Sequence, residues 1–261
     1  MLDTAIKAAK EGGEILEKYF HSSLLERKFK DDKTIVTQAD EEIEKRIIEI
    51  IKKDYPDHAF LAEESGKEDT GSHYAWIIDP IDGTRNFANG IPIFAIVIAL
   101  VKDDEPLVSV TYNPITNDLF CAEKGKGAFW NGSRIAVSSQ QADKAMITLG
   151  PSQKPEDKAL MHRYFSHAKQ YVNSFRYLGS AALELCYLAR GGTEGFVCIG
   201  LSKWDYAAGA LLVLEAGGKI TDFNGNPWIF DQNYFLASNG NIHPQLLDLT
   251  RAAKVDDTML S

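Results

Sequence analysis

The chain has 261 residues, of which 44% are hydrophobic and 25% charged, with 9 Pro and 20 Gly. Collagen-like, low-complexity and disordered classes are excluded, and the length suffices for one large domain or two close lobes. With 28 Lys and Arg against 37 Asp and Glu, the net charge of −9 argues against a protein that grips a nucleic-acid backbone.

The start, MLDTAIKAAKEGG, lacks the apolar core of a secretory signal. Ile6, Ala9, Gly13, Leu16 and Phe20 recur at three- and four-residue spacing, which predicts an amphipathic helix. After the charged stretch HSSLLERKFKDDK, Thr37 opens a second helix with Ile43, Ile47 and Ile51 on one face. From Trp76 the pattern changes to short runs, AWIID, FAIVIALV, LVSVTYN and DLFCAE, read as strands of one sheet. The longest apolar run, Ile91 to Val101, contains Pro92 and is half the ~20 residues of a membrane span, so it reads as a buried strand and no membrane segment is expected. YNPITND reads as a hairpin loop, and KGKGAFWNGSRIAVS as a surface segment.

Beyond about residue 140, strands at AMITLG, before Leu178, at EGFVCIG and at GKITDF alternate with helices at 157–168, 180–189 and 205–215. That alternation indicates an α/β lobe. The expected organisation is an N-terminal α+β lobe over 1–140 that binds metal and a C-terminal α/β lobe over 141–261, with the site between them and a frayed tail, KVDDTMLS. Cys121, Cys186 and Cys198 have no metal-ligand or C-x-x-C spacing and read as reduced thiols of a cytoplasmic protein.

Four acidic residues stand where an apolar strand or aromatic anchor gives way to a loop or helix start: Glu63 in FLAEESG, Asp79 and Asp82 in WIIDPIDGTRNF, and Asp205 in SKWDYAAG. Pro80 pushes Asp79 into extended geometry, and a sharp turn there lets the two carboxylates converge. Converging carboxylates repel, and a hard divalent cation relieves that; oxygen ligands without Cys or His select Mg²⁺, Mn²⁺ or Ca²⁺. The Ile81 carbonyl between them is a neutral ligand candidate. Gly83-Thr84-Arg85-Asn86, if it starts a helix, offers unpaired amides to a phosphate. Taken singly, Asp205 and Asp82 fit helix N-caps, Thr37-Gln38-Ala39-Asp40 fits a capping box, and Glu63-Glu64 fits a solvated pair. Their joint occurrence around D-P-I-D-G-T favours metal-assisted phosphoryl chemistry.

At these residues the sequence resembles the inositol monophosphatase family, lithium-sensitive, magnesium-dependent phosphatases with the fructose-1,6-bisphosphatase fold. The two signatures appear as Trp76 to Thr84, WIIDPIDGT, and as Trp204 to Gly209, WDYAAG, continuing to Glu215-Ala216-Gly217-Gly218. VTQAD, FLAEES, GKGAFWNG and RYLGSAALELC match in order and spacing. The resemblance implies a layered αβαβα sandwich, two or three Mg²⁺ ions and a homodimer. It implies that Glu63, Asp79 and the Ile81 carbonyl hold a first metal, that Asp79, Asp82 and Asp205 hold a second, and that Glu63 touches a third. It implies that Thr84 and Asp40 position and deprotonate the attacking water, so that catalysis displaces capping as the role of Asp40, with Glu63 beside them. Gly83 and Thr84 would hold the phosphate, and Gly179, Ser180 and Ala181 the leaving group, with Asp205 nearby.

The implied reaction is in-line attack of metal-activated water on a phosphate monoester, without a phosphoenzyme. His21, His58, His73, His162, His167 and His243 lie outside the motifs, which disfavours phosphohistidine chemistry. Two departures bear on substrate. Cys198 stands where inositol-specific relatives place a Glu that bonds ring hydroxyls, and a thiol is a poor acceptor. Arg85 replaces a small hydroxyl residue and adds charge suited to a second phosphate or carboxylate, or else pairs at the surface; whether Lys30 or Lys33 reaches the site stays open. The expected substrate is a small phosphorylated polyol or sugar, inositol monophosphate first. Fructose 1,6-bisphosphate, histidinol phosphate, 3′-phosphoadenosine 5′-phosphate and NADP remain open, as does a regulatory member without turnover.

Overall fold

The first helix, α1 (Leu2–Phe20), buries Ala5, Ala8, Ala9, Gly12, Gly13 and Leu16, a stripe of small residues wider than the apolar spacing alone indicates. Small side chains there let the helix lie close against its neighbours: a Cβ on Gly13 would stand 2.6 Å from the Tyr112 ring. The computed structural model describes residues 1–20, 27–29 and 35–253. His21, Lys30, Lys33 and the tail from Lys254 lie outside the described residues.

A short pair, β1 (Arg27–Phe29) and β2 (Ile35–Thr37), precedes α2 (Gln38–Asp54), in which Ile43, Ile47 and Ile51 are fully buried as the four-residue spacing predicts. Each such isoleucine contributes roughly 1.5–3 kcal/mol of burial. There follow β3 (Ala59–Ala62), β4 (Gly66–Glu68), β5 (Tyr74–Asp82), a single-turn α3 (Thr84–Ala88), β6 (Ala95–Lys102), β7 (Glu105–Asn113), β8 (Asp118–Glu123), β9 (Gly127–Trp130) and β10 (Ser133–Ile135). These strands form an eight-stranded sheet in the order β10-β9-β8-β7-β6-β5-β3-β4. The four runs read from Trp76 onward are its centre. GKGAFWNGSRIAVS does not merely cross the surface: it supplies β9 and β10, whose Ala128 is fully buried. The buried strand within Ile91–Val101 begins at Ala95, and Ile91 itself is exposed.

The second half contributes β11 (Met146–Pro151), α4 (Pro155–Ala168), β12 (Ser174–Arg176), α5 (Ala181–Ala189), β13 (Gly195–Ile199), α6 (Lys203–Glu215), β14 (Lys219–Asp222), β15 (Tyr234–Ser238) and α7 (His243–Ala252). Its sheet has five strands ordered β12-β11-β13-β15-β14, parallel from β12 to β13 and antiparallel beyond.

The layers follow from the contacts. α1 and α2 cover one face of the large sheet, α5 and α6 fill the space between the two sheets, and α4 and α7 cover the far face of the small one. This is the αβαβα sandwich. The middle layer is one continuous core, in which Ile77, Val97 and Phe120 of the large sheet join Leu185, Leu212 and Phe235. α5 and α6 are therefore apolar on both faces between their ends, Glu184 apart, as a helix buried on both sides must be.

Candidate metal and phosphate site

Asp79 and Asp82 reach the same side of the sheet because of a bulge. In a regular strand, residues three apart point to opposite faces. Here Asp79 pairs with Val97 and Asp82 with Ala95, so three steps on β5 oppose two on β6, and the register shifts between them. The extra residue restores the parity. Pro80, which has no N–H for the ladder, sits inside the irregular stretch. The strand therefore bulges where a sharp turn was expected, and the Ile81 amide folds back to Asp79 Oδ1 at 2.9 Å.

Asp205 comes from the other half of the chain. α6 starts at Lys203, two residues earlier than the sequence pattern indicates, with Ser202 as N-cap. Asp205 is thus at the third helical position, where its Oδ2 accepts the Ser202 amide at 2.8 Å. Asp82 does not cap the helix that follows it; Gly83 precedes α3, and Asp82 Oδ2 instead accepts from Ser180 Oγ (2.6 Å) and the Ala182 amide (2.8 Å) at the start of α5.

The result is a carboxylate cluster in which ligand atoms of Asp79, Asp82 and Asp205 all lie within 4.8 Å of one another. Asp79 and Asp82 are buried and Asp205 half-buried. Burial pushes the Asp79 carboxyl well above its ordinary value, and the charges of Glu63, Asp82 and Asp205 push it further. Burial, then Asp82 and Glu63, do the same to Asp205, and burial raises Asp82. The principal charges acting on Asp79 are all negative, so the cluster lacks its counter-charge; an all-oxygen donor set of this kind fits a hard divalent cation.

Asp40 is fully buried at the third position of α2. Its Oδ2 accepts from the Thr37 amide (2.8 Å) and hydroxyl (2.5 Å), so the capping box forms after all and catalysis does not displace it. Its Oδ1 has no partner among the described residues. Burial raises the carboxyl to about 7 despite the Thr37 bonds, with Glu63 and Glu64 adding repulsion. Capping thus occupies one oxygen and leaves the other without a partner among the described residues, and Asp40 itself is not among the residues that line the cavity beside the cluster.

Gly83 has φ +91°, and a Cβ there would stand 2.9 Å from the Ile93 carbonyl oxygen, so only glycine fits this start of α3. Thr84 Oγ1 donates to the Ile81 carbonyl at 2.9 Å. Both residues line a cavity of about 950 Å³ together with Glu63, Asp79, Asp82 and Asp205. Arg85, Gly179, Ser180 and Ala181 line it too, and Arg85 is exposed. Cys198 does not: it is fully buried in the middle of β13, and its thiol donates to the Asn233 carbonyl at 3.1 Å. Its expected place against the substrate is corrected accordingly.

Ser152 and Glu184 escaped the sequence reading, as did the side-chain role of Asn86. Ser152 donates to the buried Asp157 carboxylate, which also accepts from Tyr234 at 2.7 Å and fixes the 150–155 wall. Asn86 donates to the carbonyls of Ile93 and Leu178, 2.8 Å each, tying α3 to the loop before α5. Glu184 lines the cavity from within α5. N-F after D-G-T-R was a signal for Asn86; Glu184 had none beyond one acid in an apolar helix.

A profile of the inositol monophosphatase family matches residues 1–255. A fructose-1,6-bisphosphatase/inositol-1-monophosphatase of Aquifex aeolicus is 38% identical over 253 residues, covering 96% of this chain and 95% of that one. Nus factor SuhB of Pasteurella multocida is 37% identical over 261 residues, 98% of each. The crystal structure of extragenic suppressor protein suhB from Bartonella henselae superposes with a TM-score of 0.87 at 37% identity, covering 97% of both chains.

Proposed function

The chain belongs to the inositol monophosphatase family, and from that premise we propose that it is a Mg²⁺-dependent phosphomonoesterase of small phosphorylated polyols or sugars, with inositol monophosphate as first substrate. The observation that carries the reading is the convergence of Asp79, Asp82 and Asp205 within 4.8 Å on the wall of a cavity that Gly83 and Thr84 also line.

Glu63, Asp79, the Ile81 carbonyl, Asp82 and Asp205 would hold the cations, two or three in number. A divalent ion bound there supplies charge to offset the phosphoryl oxygens and acidity to nearby water. The protein's own part is then positional. Thr84 gives its hydroxyl proton to the Ile81 carbonyl, which leaves its oxygen lone pairs for the proton of an attacking water. Asp40, with an idle oxygen and a carboxyl raised to about 7, suits a proton acceptor near neutral pH. The first amides of α3 lack intrahelical acceptors, and those of Gly83 and Thr84 would cradle the phosphate. Gly179, Ser180, Ala181 and Arg85 would face the alcohol.

The relatives' names hold open two neighbouring readings, a bisphosphatase and a protein named as a Nus factor. The full set of carboxylates and Thr84 favours catalysis over a binding role alone. The homodimer, lithium inhibition and cytoplasmic setting typical of the family are proposed with it. No helix among the described residues is long and apolar enough to cross a membrane. Phosphate release with Mg²⁺ from inositol monophosphate, fructose 1,6-bisphosphate, histidinol phosphate, 3′-phosphoadenosine 5′-phosphate and NADP tests the proposal. Greatest kcat/KM on inositol monophosphate is expected; no release from any would overturn it.

A further inference from the structure

Glu184 is a carboxylate that the reaction above does not use. It lies in the first turn of α5, is fully buried, and still contributes to the cavity wall. Its Oε1 accepts from two consecutive amides, Leu178 at 2.6 Å and Gly179 at 3.2 Å. They converge in a turn whose second residue, Gly179, has φ +80°, and successive N–H groups aimed at one oxygen make an anion nest. Oε2 is buried without a hydrogen-bond partner among the described residues. Thr148 lends the carboxyl a weak interaction, but its hydroxyl bonds the Gly195 carbonyl at a long 3.5 Å.

A buried carboxylate with an idle oxygen is destabilising, and the helix around it, AALELCYLA, would pack as well with an apolar side chain there. What the carboxylate does hold is the turn ahead of its own helix. That turn is gripped from the opposite side by Asn86, which donates to the Leu178 carbonyl, and by Asp82, which accepts from Ser180. Leu178, Gly179 and Ser180 together form one wall of the cavity beside the carboxylate cluster.

We propose that Glu184 is a positioning residue for the alcohol part of the substrate: by occupying the Leu178–Gly179 nest it sets the wall against which the leaving group packs. It therefore governs recognition of the alcohol and leaves recognition of the phosphate untouched. This rests on the phosphatase reading.

The test compares KM for inositol monophosphate with Ki for inorganic phosphate, which has no leaving group, in the wild type and three variants. Glu184→Leu empties the nest, Glu184→Asp keeps the charge but falls short of the amides, and Glu184→Gln keeps an oxygen acceptor. Loss of these bonds in the Leu and Asp variants should raise KM about tenfold, with kcat within about threefold and Ki within about twofold of wild type. Glu184→Gln should restore KM to within about twofold. KM and Ki that change together, or a KM unmoved in the Leu and Asp variants, would overturn the inference. Should Glu184→Leu fail to fold, the contrast between the Asp and Gln variants decides. A wild-type protein that hydrolyses no ester overturns the phosphatase reading and this inference together, whereas wild-type turnover with an unmoved KM overturns the inference alone.

Discussion

Asp82 and Ser180, 98 residues apart in sequence, share a hydrogen bond of 2.6 Å. Ser180 also caps α5, accepting from the Leu183 amide, so one hydroxyl joins the carboxylate cluster to the middle helix layer. With Oδ2 committed to Ser180 and Ala182, Asp82 offers the cluster a single oxygen. Ser180→Ala should cost roughly 1.5–3 kcal/mol, as expected for a hydrogen bond to a charged group, and should weaken Mg²⁺ affinity. Calorimetric titration with Mg²⁺ and urea unfolding check the two effects separately.

Asp79 sits among three acidic neighbours, so replacing it with Asn removes repulsion from the metal-free protein. Asp79→Asn is expected to unfold at the same or a higher temperature than wild type without Mg²⁺. It should lose the stabilisation that saturating Mg²⁺ gives the wild type, about 2.7 kcal/mol at a hundredfold excess over Kd. Thermal unfolding with and without Mg²⁺ reads both arms.

Asp40 holds its proton to about 7 in the fold, against an ordinary value of 3.8. Below that ordinary value both states are protonated and the group contributes nothing. As pH rises from about 4 to about 7 the unfolded state ionises first, so Asp40 progressively lowers stability, by at most about 4 kcal/mol. Without metal, Asp40→Asn should remove this loss and be more stable than wild type at pH 8; with Mg²⁺ it should lose activity. Urea midpoints across that range measure it.

His243 behaves oppositely. It is buried between the Thr221 and Ser238 hydroxyls, each 2.8 Å away, and burial lowers it to about 4 from 6.5, helped by Lys219. A neutral imidazole satisfies both hydroxyls, one as donor and one as acceptor. Its contribution is complete above pH 6.5 and is lost as pH falls toward 4, by about 3 kcal/mol. His243→Gln should flatten that acid loss. Because the windows of Asp40 and His243 overlap with opposite sign, the stability of Asp40→Asn relative to wild type should rise with pH across them and that of His243→Gln should fall.

Much of the layout was legible in the sequence. The isoleucines of α2 and the strand runs from Trp76 are strongly periodic, and their burial follows from period alone. D-P-I-D-G-T marked the cluster, although the sequence pattern indicated a turn where the register needed a bulge; only the pairing with β6 distinguishes them. β9 and β10 were hidden by closely spaced glycines and asparagine that resemble a loop, and β15 and α7 by short, mixed composition. The partners of Asp82 and one partner of Asn86 lie about a hundred residues away, and Glu184 sits inside an apolar helix and reaches back to the loop before it, so no local spacing encodes them. Cys198 was misplaced for a related reason: β13 is buried on both faces, and this residue points into the middle core beside Phe196.

The most direct test of the account is phosphate release from inositol monophosphate as a function of Mg²⁺, with Asp79→Asn alongside. Release should rise with Mg²⁺ to saturation, vanish in chelator, and fall by about a thousandfold or more in the variant, a loss of ~4 kcal/mol or more in transition-state stabilisation. Turnover that persists in chelator, or that survives in Asp79→Asn, would contradict it.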